Sequence, residues 1–308
     1  MSTPTQLSEL NSAFAHADAI AFEMSPLGGV VVRLTCGADT ATVALQGAQV
    51  LGWRHRRTEM LWLSPVARLG TGKAVRGGIP VCWPWFGPHP SDPGRPAPIY
   101  PAHGFVRTRD WAVTASSVSP EAVTITLQTT TLPEDQALFP HAAVARLTTT
   151  LGNGLSLGLT THNTGATAVP LSQALHTYFR VGDIAGVRIE GLAGTRYIDK
   201  LGDGKVRRLQ EGPIAIESEV DRIYLGHTQA ITLRGAHAGN RQLTIESEGS
   251  ASAVVWNPWI DKTARLGDMG GPNAWRHMVC IETANAGDDV RTLAPGAEHV
   301  MSAHYRVV

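Results

Sequence analysis

Two ionisable side chains stand inside apolar runs. His176 lies in Leu175-His176-Thr177-Tyr178-Phe179, and Glu282 in Met278-Val279-Cys280-Ile281-Glu282-Thr283-Ala284-Asn285. An imidazole among apolar and aromatic neighbours needs only small shifts to titrate near neutral pH, which suits it to proton transfer. A carboxylate is rarely buried in an apolar strand without a partner or a task. The plain alternatives are a hydrogen-bonded core histidine and a salt bridge from Glu282 to an arginine. A third feature runs from Arg76 to Arg107, where two arginines bracket eight prolines and two tryptophans with little alternation. So long an excursion inside a compact domain is functional or disordered, and its aromatic content argues against disorder.

Other chemical signals fail on context. Gly154-Leu155-Ser156-Leu157-Gly158 matches GxSxG, but a nucleophile elbow needs a strand, a strained turn and then a helix, whereas Ser156 falls inside a hairpin strand. Gly70-Thr71-Gly72-Lys73 lacks the first glycine of a phosphate loop, with Ala67 in its place, and Ala74 stands where Ser or Thr would bind magnesium. The twelve histidines show neither HExxH nor another paired spacing, so no metal site is expected. Cys82 and Cys280 read as buried apolar fillers.

The elements that must position these residues are strands. Alternation marks Val30–Leu34, Thr42–Leu45, Ala122–Gln128, Leu243–Glu246 and Val300–Val307. Arg146–Leu151 and Leu155–Thr161 flank Gly152-Asn153-Gly154, residues that tolerate the positive φ of a tight hairpin. One peripheral helix is expected at the start, with Thr3 as cap, Pro4 in the first turn and Leu7, Leu10 and Phe14 on one face. Turn signals recur at short intervals without internal repeats or a charged linker, which favours two packed sheets in an all-β domain.

Charge and composition narrow the partners. Of 308 residues, 26 are basic and 26 acidic, so no diffuse basic field favours nucleic acid or an anionic membrane surface. Any anion site must be local. Three separated cysteines, Cys36, Cys82 and Cys280, read as reduced thiols of a soluble cytoplasmic protein. No export leader or membrane span is expected.

Seven segments together resemble a known family. They are Arg76-Gly77-Gly78-Ile79-Pro80, Phe86-Gly87, His103-Gly104-Phe105-Val106-Arg107 with Trp111, Leu175–Phe179, Asp221-Arg222-Ile223-Tyr224, Trp256-Asn257-Pro258-Trp259 and Cys280–Asn285. In this order, across residues 20–308, they are similar to the hexose-6-phosphate mutarotases, also called glucose-6-phosphate 1-epimerases, a branch of the aldose 1-epimerase superfamily.

The resemblance implies a galactose-mutarotase-like β-sandwich of large twisted antiparallel sheets with few short helices. Residues 1–19 would form a peripheral segment and 20–308 one domain, with the substrate in a groove on one face. It implies His176 as general acid and Glu282 as general base, exchanging the α and β anomers of a hexose 6-phosphate by ring opening and closing. Arg76 and Arg107 would hold the phosphate or nearby sugar oxygens, Asp221 a sugar hydroxyl, and His103 the anomeric end. Some relatives carry Gln where this chain has Ala102, so that contact is not expected here. No metal, nicotinamide or other cofactor is called for, and the chain would act as a monomer or weak dimer.

As a base, Glu282 would need polar donors or cationic neighbours to stay ionised. The rival readings are an aldose 1-epimerase of unphosphorylated sugars, a carbohydrate-binding module stacking Trp83, Trp85 and Trp259 on pyranose faces, and a sandwich whose groove takes a protein partner.

Overall fold

Period-two runs become strands throughout. In the computed structural model, which describes residues 4–92, 99–202, 204, 206–236 and 242–308, strands Val30–Cys36, Asp39–Ala44, Val123–Thr130, Leu243–Glu248 and Glu298–Val307 cover the expected ones to within a few residues. The hairpin forms as the turn residues require: Ala143–Gly152 pairs with Gly154–Asn163, Gly152 faces Gly154, and Asn153 is the tip. Along both strands buried and half-buried residues alternate without a break. Helix Pro4–Phe14 lays Leu7, Leu10 and Phe14 on the core, while Thr3 lies outside the described residues.

Among the described residues two large sheets, a five-stranded one and a two-stranded one of Val169–Leu171 and Arg291–Leu293 result, with every named strand pairing antiparallel. The back sheet runs in the order Arg188–Glu190, Ile231–Arg234, Leu243–Glu248, Glu298–Val307, Gly154–Asn163, Ala143–Gly152, Val123–Thr130, Ala112–Val118. The site sheet runs Val206–Leu209, Arg196–Asp199, Val220–Leu225, Ser252–Asn257, Met278–Asn285, Gln173–Leu175, Val81–Cys82, with Tyr178–Arg180 also paired to Met278–Asn285. A five-stranded sheet spans Ile20 to Glu59. No helix among the described residues is long and apolar enough to cross a membrane.

The back and site sheets face each other across the main core. Ile125, Leu147 and Leu157 of one share a cluster with Val255, Val279 and Ile281 of the other. Each such side chain contributes roughly 1.5–3 kcal/mol by leaving water. Several polar side chains within this layer are paired across it, as burial favours. The hydroxyls of Thr177 and Tyr305 lie 2.7 Å apart, as do those of Ser247 and Thr283, and Trp83 Nε1 donates to Thr161 Oγ1 at 3.0 Å.

Strand alternation sends a different set of residues to the outer face of the site sheet. Asp221, Trp256 and Cys280 lie side by side in one cross-strand row, and Ile223, Val254 and Glu282 in the next. All eight residues of Met278–Asn285 are buried, because the sandwich core covers one face and the Arg76–Arg107 excursion with helix Trp259–Arg265 helps to cover the other. That double cover explains why the strand reads as a nearly continuous apolar run rather than an alternating one.

Candidate active site

Backbone pairing brings the excursion to His176. His176 N–H donates to Pro80 O at 3.0 Å, Tyr178 N–H to Gly78 O at 2.9 Å, and Gly78 N–H to Trp62 O at 2.7 Å. Gly78 has φ +62, and a Cβ there would sit 2.1 Å from Val50 O, so only glycine lets Arg76 and the following strand pass this close. Further on, Gly104 has φ +74 and packs against the Trp83 backbone, where a Cβ would lie 1.7 Å from Trp83 O. This contact seats His103 at the mouth.

The resulting cleft, about 220 Å³, is lined by Arg76, His103, His176, Asp221, Lys262 and Glu282, with Phe86 and Trp256 as apolar walls. It adjoins a wider cavity of about 460 Å³ that shares Phe86, His103 and Asp221 and adds Lys200. The wider one falls in the range of roughly 300–1,000 Å³ usual for small-ligand sites. A cavity of about 530 Å³ beside Gln46 and Asp110 holds no such group of acid, base and cations.

At the floor, His176 Nδ1 lies 3.3 Å from Glu282 Oε1. His176 Nδ1 and Glu282 Oε2 are both buried and without a hydrogen-bond partner among the described residues. Neither plain alternative survives: no arginine pairs with Glu282 among those residues, and His176 is not a satisfied core histidine. Among the described residues no cation pairs with Glu282 and no donor hydrogen-bonds its Oε2, and its burial, assisted by the nearby Asp221 charge, pushes its pKa well above the carboxylate range. Burial likewise drives His176 well below its ordinary value, with His103, Arg76 and Arg107 adding to the shift. Tyr178 stacks on the His176 ring at 4.8 Å with an 8° tilt, and Trp256 meets its edge at 6.1 Å. These contacts fix the ring plane.

Arg76 is anchored at three points. Its Nε and Nη2 reach Asp268 Oδ2 at 3.0 and 2.9 Å, and Nη1 donates to Tyr178 Oη at 3.0 Å. Burial opposes the charge, yet Tyr178 and Asp268 outweigh it and hold the guanidinium above its ordinary pKa. A guanidinium has five N–H donors, so two remain for a ligand.

His103 is neutral, its pKa pushed down to about 3 by burial and then by Arg107, Arg76 and Lys200. Its Nδ1 accepts from Gly87 N–H at 3.3 Å, which leaves the proton on Nε2 as a donor. Asp221 has its pKa raised by burial, a shift that Lys262 and Lys200 oppose. Lys262 Nζ lies 2.7 Å from Glu219, 3.9 Å from Asp221 and 6.0 Å from the centre of the Trp256 ring.

Of the six residues singled out in the sequence, five line the cleft and Arg107 lines neither cavity. Its Nη2 donates to Ala102 O at 2.6 Å, and its charge lowers the pKa of both His103 and His176. The tryptophans that the rival binding-module reading takes as exposed stacking platforms are not so placed. Trp83 and Trp85 are buried in the core, and Trp259 packs on Trp275 with ring centres 4.3 Å apart. Half-buried Phe86 and buried Trp256 form the apolar walls of the cleft instead. Sequence reasoning missed Lys262 and Lys200; the position of Lys262 three residues into a helix that follows Trp256-Asn257-Pro258 was the available signal. Ser156 hydrogen-bonds His304 Nδ1 at 2.9 Å across neighbouring strands, on the half-exposed face, without a nucleophile elbow.

Comparisons agree with this geometry. Residues 31–306 match the aldose 1-epimerase family. A protein of Escherichia coli K12 carrying the provisional name glucose-6-phosphate 1-epimerase is 34% identical over 261 residues, 84% of each chain. One from Cenchrus ciliaris with the same provisional name is 36% identical over 269 residues, 84% of this chain and 78% of its own. The crystal structure of a protein from Salmonella typhimurium, provisionally titled a mutarotase, superposes with a TM-score of 0.84 at 26% identity, covering 98% of this chain and 99% of that one. A galactose mutarotase-like protein from Clostridium acetobutylicum shares the fold, with a TM-score of 0.72 at 15% identity over 94% of this chain and 98% of its own. A match that runs from Val31 to Arg306, on a sandwich of this topology, makes the chain a member of the aldose 1-epimerase family.

Proposed function

We propose that this chain interconverts the α and β anomers of a hexose 6-phosphate, glucose 6-phosphate being the first candidate, with Glu282 as base and His176 as acid. One observation carries the reading. Among the described residues, Glu282 Oε2 is a buried acceptor without a donor at the floor of a cleft that also holds Arg76 and Lys262. A sugar O1 hydroxyl is the donor that such an atom lacks.

Glu282 takes the O1 proton while His176 protonates ring O5, so C1–O5 breaks and C1 becomes an aldehyde. Rotation about C1–C2 presents the other face, and closure returns both protons along the same routes. The pair carries one proton before and after, so no exchange with solvent is needed. In the empty cleft burial favours both groups neutral, with that proton on Glu282. A hydroxyl donating to Glu282 and a phosphate dianion nearby both favour the charged arrangement, carboxylate and imidazolium. Substrate thereby moves the proton to the group that must deliver it.

The phosphate assignment is supported by the two free donors of Arg76 and by Lys262, with Lys200 at the wider mouth. Asp221 is suited to a sugar hydroxyl and His103 Nε2–H to a sugar oxygen. Three cysteines without disulfides support a reducing, cytoplasmic setting.

The test is magnetisation-transfer NMR of anomer exchange in glucose 6-phosphate, with glucose and galactose in parallel. Acceleration confined to the phosphate ester is expected. Acceleration of free sugars alone would move the reading to an unphosphorylated aldose 1-epimerase, and no acceleration would move it to a binding module.

A further inference from the structure

A ring nitrogen of His176, Cys280 Sγ and a Glu282 carboxylate oxygen all lie within 4.8 Å of one another. We propose that these three atoms form an inhibitory site for a thiophilic divalent cation of the zinc class. Bond lengths of about 2.0–2.3 Å to N, O and S put tetrahedral ligand atoms roughly 3.3–3.7 Å apart. His176 and Glu282 already stand at 3.3 Å. Cys280 occupies the adjacent position on the same face of strand Met278–Asn285, so its thiol closes the set by moving little more than about 1 Å.

Two of the three ligands point to a missing partner on their own account. His176 Nδ1 and Glu282 Oε2 are buried without hydrogen bonds among the described residues, a state that ordinarily signals an absent group. Charge balance favours the same occupant. A dication bound by one thiolate, one carboxylate and one neutral imidazole leaves the site with no net charge, which offsets the penalty of burial. From the neutral pair and the protonated thiol, binding releases two protons, one from Cys280 and one from Glu282. The fourth position faces the cleft and takes water. Magnesium, which prefers six oxygen ligands and keeps its waters, does not suit this set.

The cation would occupy the acid and base together, so inhibition should be competitive with substrate; that arm rests on the epimerase reading. A second arm does not. Cobalt(II) bound here should show thiolate-to-metal charge transfer in the near ultraviolet and tetrahedral visible bands, at one equivalent per chain, displaced by zinc. Cys280→Ala should abolish the charge-transfer band and weaken zinc inhibition at least about tenfold, while magnesium leaves exchange unchanged. Cobalt binding without a thiolate band, or zinc inhibition equal in Cys280→Ala and the parent, overturns the proposal. If the epimerase reading alone is wrong, the spectroscopic result stands and only the kinetic arm disappears. A melt of Cys280→Ala checks that the variant is folded, and Cys280→Ser, which keeps the volume, provides a second variant for the band.

Discussion

Nδ1 of His176 stands 3.3 Å from Oε1 of Glu282, and neither side chain has another polar partner among the described residues. A structural ion pair this deep would ordinarily be surrounded by further hydrogen bonds, because desolvating two charges outweighs a single contact. This pair has aromatic walls instead. The site is therefore unfavourable for charge until a ligand supplies donors, as a base waiting for a hydroxyl should be.

Glu282→Gln keeps the side-chain volume and removes the proton acceptor. Anomer exchange in glucose 6-phosphate should fall by about 10²–10⁴-fold. The melting temperature should stay within roughly 4 °C of the parent, since an amide replaces a carboxyl that had no strong partner to lose. Magnetisation transfer and a thermal melt on the same preparation separate lost chemistry from lost fold.

Arg76→Lys loses the planar fork shared with Asp268 and Tyr178 as well as the two free donors. KM for glucose 6-phosphate should rise about tenfold or more, with a smaller change in kcat. Arg107→Ala should raise KM by only a few-fold, because its guanidinium lines neither cavity and is held on Ala102 O. Equal effects of the two changes in steady-state kinetics would show that the chain rearranges on binding phosphate.

His103 makes stability depend on acid. Its pKa is about 3 in the fold and near 6.5 when unfolded, so the unfolded chain binds the extra proton first. Its contribution is complete above about pH 6.5 and is lost as pH falls toward 3. His103→Gln should give a flatter dependence of melting temperature on pH across that window than the parent. Parallel curves would place the titration elsewhere.

Gly104→Ala tests the excursion's hold on the site. A Cβ 1.7 Å from Trp83 O, at φ +74, forces the two segments apart. Destabilisation of at least about 2 kcal/mol is expected in denaturant unfolding. Activity should fall with it, because His103 and Phe86 are seated by the same contact.

The fold was legible because strand alternation and turn residues act locally. Arg146–Leu151 and Leu155–Thr161 declared a hairpin through side chains that alternate every two residues and glycines that tolerate positive φ, and nothing distant overrides either. Trp83 and Trp85 misled for the opposite reason. Their bulk suits a sugar platform or a core equally, and only tertiary packing decided for the core, through Thr161 and Phe139 for Trp83 and through Pro101 O, His89 and Phe105 for Trp85. Lys262 was obscured because a lone lysine on a short helix has the same local pattern whether it faces water or Asp221.

By itself, then, the order of residues determined the all-β class, the hairpin, the presence of buried ionisable groups at His176 and Glu282, and the likeness to one family. Tertiary structure alone decided that these two groups face each other, that Arg76 joins them while Arg107 lines neither cavity, and that Cys280 lies close to both. Periodicity tells which face of a strand a residue takes. The distance between two faces depends on packing among segments about a hundred residues apart, and no local rule contains it.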